Sequence, residues 1–241
     1  DILVQGIPFA VGTSFGYGGT NSVVIYGDGS YDFTPDTNFT GNFPTISYTI
    51  SDGNGGTSSC TLDISVTTAQ QITLIPDSNF EQFLINQSID SDGVINGQIL
   101  TSDTNGISSL GSMRNRGISD LTGIEAFKDL NIIDCRDNAL THIDLSSNTK
   151  LKFFYGDNNQ FVNLDFSSNS LINNVTVQSN NLKSLNFNNG LNSITFFDAR
   201  YNSNLECIEV FNVAYMSSLS VGMDSQMSYS TDCSTVWTVM T

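Results

Sequence analysis

Apolar and polar positions fall into one recurring frame. In LNIIDCRDNAL, the residues Leu130, Ile133, Cys135, Asn138 and Leu140 mark apolar positions at offsets of three, two and five, with an asparagine just before the last. The frame returns in LKFFYGDNNQF (Leu151, Phe154, Gly156, Asn159, Phe161) and in INNVTVQSNNL (Ile172, Val175, Val177, Asn180, Leu182). It returns again in ITFFDARYNSN, with Ile194, Phe197, Ala199 and Asn202. A looser copy, ISSLGSMRNRGI, lies upstream with Ile107, Leu110, Asn115 and Ile118. No copy can bury its own apolar face, so the copies must stack and close one continuous core. The recurring asparagine belongs at the end of each inner strand, where its amide can bond turn backbone in its own and neighbouring coils.

Five copies at a period of 21–23 residues, over 107–206, are the signature of a leucine-rich-repeat solenoid. Each period carries a second apolar triplet (LTHIDLSSN, FVNLDFSSN, LKSLNFNNG, LECIEVFN), which predicts two short strands per coil and a parallel sheet on each broad face. Asp144, Asp165, Asn186 and Glu209 then line up on the outer sheet, as solvated carboxylates or around a cation. On the inner strands alternate residues point outward. The first outward column reads Ser109, Ile132, Phe153, Asn174, Phe196; the second, Gly111, Asp134, Tyr155, Thr176, Asp198; the third, Met113, Arg136, Asp157, Gln178, Arg200. Aromatics beside arginines, rimmed by acids, have the makeup of a recognition patch on the inner (concave) face.

The flanks differ. Residues 1–70 hold short β-rich runs separated by Gly, Asn and Asp clusters, in the character of a β-sandwich. Cys60 shares strand parity with Leu62, Ile64 and Val66 and is expected to face a core. Residues 71–106 open with Ser78-x-x-Glu81, read as a capping box, followed by Phe80, Phe83 and Leu84 at helical spacing. A short helix there would shield the open end of the solenoid. In IDSDGVINGQI, the residues Asp90, Asp92 and Asn96 match part of an EF-hand loop, but Ser88 stands at the first ligand position and Ile99 where a bidentate glutamate is required. The loop is read as a polar turn with at most a weak calcium site, and no cofactor is required. Residues 207–241 form a C-terminal cap, in which a Cys207–Cys233 bridge would tie off the solenoid and imply an oxidising compartment.

Charge changes the picture of partners. The chain carries 24 acidic and 8 basic residues, a net of −16, which disfavours nucleic acid and anionic lipid. All eight basic residues lie within the repeat array. No apolar run approaches the roughly 20 residues of a membrane span, so no membrane insertion is expected. No signal peptide opens the chain, and residue 1 is read as the start of a processed or trimmed fragment. Cys135 occupies a core position and lacks an activating base. The single histidine, His142, has no nucleophile at a recognisable spacing, and no nucleophile elbow, zinc or phosphate-loop motif is present. The sequence reads as a non-enzyme.

The stretch GSYDFTPDTNFTGNFPTISYTISDGNGGTSSCTLDISVT resembles the cadherin-like, immunoglobulin-like tandem repeats of large bacterial surface proteins. Some relatives bind calcium between domains, and Asp52 sits in the matching loop, where turn chemistry is the simpler reading. The segment from IPDSNFEQFLINQSIDSDGVINGQILTSD to GISDLTGIEAFKDL resembles secreted Bacteroidetes leucine-rich-repeat proteins, and its last part an internalin repeat. The closing stretch from NSNLECIEV to STDC matches that group's C-terminal cap. This resemblance, over about residues 74–233, implies a secreted or cell-surface protein and says little about ligand.

Three functions follow. The inner face binds an extracellular protein, with Ile132, Phe153, Tyr155 and Phe196 giving contact area and Arg136 and Arg200 meeting acids on the partner. Alternatively the chain is a carbohydrate-binding module of a polysaccharide-degrading enzyme, with Asp134, Asp157, Asn174 and Gln178 bonding hydroxyls. The single tryptophan, Trp237, falls beyond the last cysteine, away from this face. A third reading is a structural stalk stiffened by calcium.

Overall fold

The computed structural model describes all residues except 1, 5–6, 38, 52–53, 69, 220 and 235–241, so Asp52 and Trp237 lie outside the described residues. The chain divides into two compact units, 1–69 and 70–241.

The first unit is built from antiparallel strands. Ser14–Gly16, Ser22–Ile25 and Tyr31–Thr34 form one sheet; Ile7–Phe9, Ile2–Val4, Ile46–Ser51 and Thr57–Leu62 form another, in that order. Val23, Ile25, Phe43 and Ile46 are buried between them, with Phe15 and Phe33 set edge-on to Phe43. Cys60 contradicts its expected burial. It lies exposed on the edge strand Thr57–Leu62, opposite Tyr48, because this small core does not reach that far along the strand.

The second unit is the solenoid. Ser109–Leu110, Ile132–Asp134, Phe153–Tyr155, Asn174–Thr176 and Phe196–Asp198 form one parallel sheet. A bridge from Asp198 to Gly222 adds a further coil that the repeat frame did not show. Asn163–Asp165, Ser184–Phe187, Cys207–Val210 and Ser228–Ser230 form the second parallel sheet. Asp165, Asn186 and Glu209 are in register there, as expected, but Asp144 is not in a strand. Its carboxylate, like that of Asp165 and the carboxamide oxygen of Asn186, accepts the amide two residues on (Ser146, Ser167, Asn188), a turn role.

Between the sheets runs a spine of rings: Phe154 to Phe166 (centroids 5.3 Å apart), Phe166 to Phe187 (5.4 Å), Phe187 to Phe197 (5.6 Å). Gly156 holds an apolar position of the frame because a Cβ there would stand 2.7 Å from the Phe154 ring.

Asn138, Asn159, Asn180 and Asn202 are the links between coils. The Asn159 side chain donates to Cys135 O and Gly156 O and accepts from the amide of Leu140. Asn180 and Asn202 repeat the set one coil further on each time. The residues before them, Asp137, Asn158, Ser179 and Tyr201, all take positive φ of 54–64°. Asn115 also has positive φ (54°), so it matches Asp137 and not Asn138; Arg116 stands at the ladder position of the first coil. The first copy is therefore shifted by one residue. Met113, expected to face outward, is fully buried and takes the place that Cys135 holds in the next coil, its carbonyl accepting from Asn138.

A second ladder was not anticipated. Asn148 donates to Ile124 O and Phe127 O, Asn169 to Leu145 O and Asn148 O, and Asn189 to Asn169 O. Its signal was present as the asparagine closing each LSSN, FSSN and FNN.

The helix Ser78–Asn86 covers the open end, sending Phe80, Phe83 and Leu84 into the same core as the repeats. Its cap is not the Ser78 box. Asp77 is the N-cap, accepting from the amides of Asn79 and Phe80, and its other oxygen accepts from Ser119 and Asp120. Burial pushes the Asp77 carboxyl up, but the bonds from Ser119, Phe80 and Asp120 outweigh it and hold it below the usual range. Glu81, freed from capping, is fully buried and accepts from the amides of Asn96, Gly97 and Gln98. At the other end Cys207 and Cys233 are disulfide-bonded, with Cα atoms 5.9 Å apart.

Asn159→Ala leaves the buried amide of Leu140 without its acceptor and takes one of two side-chain donors from each of the Cys135 and Gly156 carbonyls, and is expected to cost about 1–3 kcal/mol in urea unfolding. Replacing Cys207 and Cys233 by serine opens a loop spanning 26 residues of sequence separation. That change is expected to cost about 3 kcal/mol by the same measurement.

Candidate functional site on the inner sheet

The inner sheet brings the sequence-derived columns into register. Ser109, Ile132, Phe153, Asn174 and Phe196 align across adjacent strands, as do Asp134, Tyr155, Thr176 and Asp198. Ile132, Phe153 and Tyr155 are half-buried, and Phe196 is 40% exposed. Neighbouring strands lie about 4.8 Å apart, so Phe153 and Phe196 stand about 10 Å apart with Asn174 between them.

Two acids behave differently from expectation. Asp134 and Asp198 are buried, 7% and 4% exposed, and are not free to meet a ligand. Asp134 accepts from Nε and Nη2 of Arg136 at 2.8 and 2.6 Å, and Asp198 accepts from the same two nitrogens of Arg200 at 3.0 and 2.6 Å. The physical reason is strand geometry. Residues two apart share a face, so Asp-x-Arg on a strand closes a two-pronged ion pair on itself. Arg136 also lies over the Tyr155 ring, 5.4 Å from its centroid. The D-x-R spacing was the available signal for both pairs.

Asp157 is the exception. It accepts from Thr176 Oγ1 (2.7 Å) and from the amide of Gln178 (2.8 Å), and makes no ion pair among the described residues. Burial pushes its carboxyl above the usual range and the charge of Asp198 adds to this, against the pull of those hydrogen bonds and of Arg136. The side-chain oxygen of Asn174 is buried and has no hydrogen-bond partner, as is true of Asn148 and Asn169 in the second ladder. Such a group costs about 1–3 kcal/mol, and a native protein keeps it for a reason.

The remaining sequence-derived positions do not join this face. Asp92 accepts from the amide of Val94 and from the Asn96 side chain, while Asp90 accepts from the amide of Asp92. Glu81 from the helix orders this loop by accepting the amides of Asn96, Gly97 and Gln98. Among the described residues no group of three or more His, Cys, Asp or Glu is arranged to hold a metal ion. His142 is exposed beside Asp120, Glu125 and Asp144, and those three carboxylates accept amides of their own turns. Cys135 is fully buried, and desolvation pushes its thiol far up, which suits packing and not reactivity.

Because the fold raises the Asp157 pKa, the stability linked to that group is present at low pH and is lost as pH rises through the folded value. Asp157→Asn is therefore expected to raise the melting temperature at pH 7, on the order of 2 °C, with the gain vanishing in a scan at about pH 3.

Residues 12–67 match the family model described as a cadherin-like domain. No curated protein sequence matches the chain. Solved structures similar to it include the functional domain of InlJ from Listeria monocytogenes, which includes a cysteine ladder, at 22% identity and a TM-score of 0.46. That alignment covers 70% of this chain and 42% of InlJ. An internalin, InlF, from the same species aligns at 15% identity and a TM-score of 0.43, over 65% of this chain and 56% of its own. Internalin C2 aligns at 16% and 0.40, over 70% and 94%. The chain thus spans about two fifths of the InlJ domain and just over half of InlF. What the strands, ladders and family match establish together is a cadherin-like domain followed by a leucine-rich-repeat solenoid.

Proposed function

We propose that the chain is an extracellular binding or adhesion module that grips a protein partner with the inner sheet of its solenoid. The observation that carries this is the register of Ile132, Phe153 and Phe196, which puts Ile132 beside Phe153 and Phe196 one strand beyond Asn174 on the same sheet, all partly in water. Aromatic side chains held by a scaffold supply contact area at low entropic cost, and tend to dominate interface energetics. Tyr155 and Arg136, stacked on each other, extend the patch.

The disulfide supports an oxidising, extracellular setting. No helix among the described residues is long and apolar enough to cross a membrane. This reading requires no catalytic group and no cofactor. Calcium has no task in it, since Glu81 already orders the loop that carries Asp90, Asp92 and Asn96.

A carbohydrate reading would use the same rings as sugar platforms. The ion pairs count against it: Asp134 and Asp198 are spent on arginines and have little capacity left for hydroxyls. Biolayer interferometry against immobilised matrix proteins and mucins, beside calorimetry with soluble xylan, pectin and laminarin, separates the two. Wild type is expected to bind at least one protein and to lose tenfold or more of that affinity in Phe153→Ala/Phe196→Ala. Polysaccharide heat that the double variant abolishes, with no protein bound, would replace this reading by the carbohydrate one.

A further inference from the structure

We propose that the inner face takes a basic protein segment, its cationic side chain seated on Asp157 and an apolar side chain set between Phe153 and Phe196. This rests on the inner face being the protein-binding surface, and goes further by naming the chemistry of the occupant.

Charge is the first argument. The two arginines look like sites for an acidic partner, but each is already held by its own aspartate in a two-pronged pair. An incoming carboxylate would have to displace a buried one that sits two residues away on the same strand. Each pair is neutral as a unit. Asp157 is left as the inner-face carboxylate without an ion pair among the described residues, bonded to neutral donors, Thr176 Oγ1 and the Gln178 amide, and drawn on from further off by Arg136. A Lys or Arg arriving there supplies the missing countercharge at a half-desolvated carboxylate, where a charge-assisted bond is strong. Most of the net charge of −16 lies outside the repeats, where residues 107–206 set ten acidic against eight basic side chains, so the local contact at Asp157 and not the overall field selects a cationic occupant.

Geometry is the second. The gap of about 10 Å between the strands of Phe153 and Phe196 is one strand wide, and Asn174 forms its floor. The Asn174 side-chain oxygen, buried and unpartnered in the free protein, accepts from an amide of a segment in that gap once its side chain turns outward. From Phe153, at the start of its strand, to Asp157, two residues past the strand's end, is four residues of chain, about 13 Å at roughly 3.3 Å per residue. An extended segment spans the same distance between residues i and i+4. The occupant is therefore a stretch with an apolar residue and a Lys or Arg four positions apart.

The test uses a phage-displayed library of random 15-residue peptides, panned on the wild-type chain and in parallel on Asp157→Lys. Enriched peptides are synthesised and titrated against wild type, Asp157→Asn and Phe153→Ala/Phe196→Ala, all first compared by thermal unfolding. Asp157→Asn is expected to fold at least as stably as wild type, so a loss there reads the contact. On wild type the expected peptides pair Lys or Arg with an aromatic or aliphatic residue and weaken about tenfold on Asp157→Asn. Panning on Asp157→Lys is expected to yield Asp and Glu in their place. Peptides that ignore both Asp157 changes yet are lost on the double variant would overturn the basic occupant while keeping the binding face. If no peptide distinguishes wild type from the double variant, the binding face itself fails.

Discussion

Everything in the solenoid depends on how buried turn backbone finds hydrogen-bond partners. A coil that turns sharply between two parallel sheets buries amides and carbonyls that no strand ladder reaches, and leaving them unpaired is costly. One asparagine per coil answers this at the inner edge, donating to carbonyls of two coils and accepting an amide of the earlier one. A second series at Asn148, Asn169 and Asn189 donates to carbonyls along another line of turns, though the Asn148 and Asn169 oxygens accept no amide in return. With the turns fixed, the Phe154–Phe166–Phe187–Phe197 spine packs in one register, and the outward residues of the inner sheet stand in columns. The outward columns of the inner sheet are a by-product of that register.

The frame was legible because its strongest signals are periodic. Asn138, Asn159, Asn180 and Asn202 recur with apolar partners at fixed offsets, and a stacked architecture is the main way such a pattern buries its surface. Legibility failed where one residue type could do two jobs. Asn115 looked like a ladder asparagine but serves as the left-handed turn residue, a role asparagine also tolerates well, and the slip placed Met113 outward when it is core. Ser78 and Glu81 satisfied the spacing of a capping box, yet Asp77 one residue earlier competes better for the same amides, which left Glu81 to be buried under a loop fifteen residues on. Tertiary partners decided both cases, and no local pattern carries them.

The inner face shows the same division. Which residues point outward followed from strand alternation and held for the first two columns. Which of them remain available did not follow, because availability depends on pairing. Arg136 and Arg200 read from sequence as hands extended to acids, whereas each is occupied by the aspartate two residues before it. That self-pairing turns a face of five charges into two neutral pairs and one carboxylate, and it changes the kind of partner the surface suits.

The disulfide has a mechanical consequence for the solenoid. Cys207 belongs to a strand in the body of the outer sheet, and Cys233 follows the last described strand of that sheet. Tension applied to the chain beyond Cys233 is therefore delivered through the bridge to Cys207, bypassing the intervening residues. The final coils are relieved of shear and cannot be peeled off one at a time. The first load-bearing element is an interior strand, clamped between Ser184–Phe187 and Ser228–Ser230. Rupture must then begin with the sheet yielding as a block, which gives the solenoid an anchor at the end where an unbridged stack would fray.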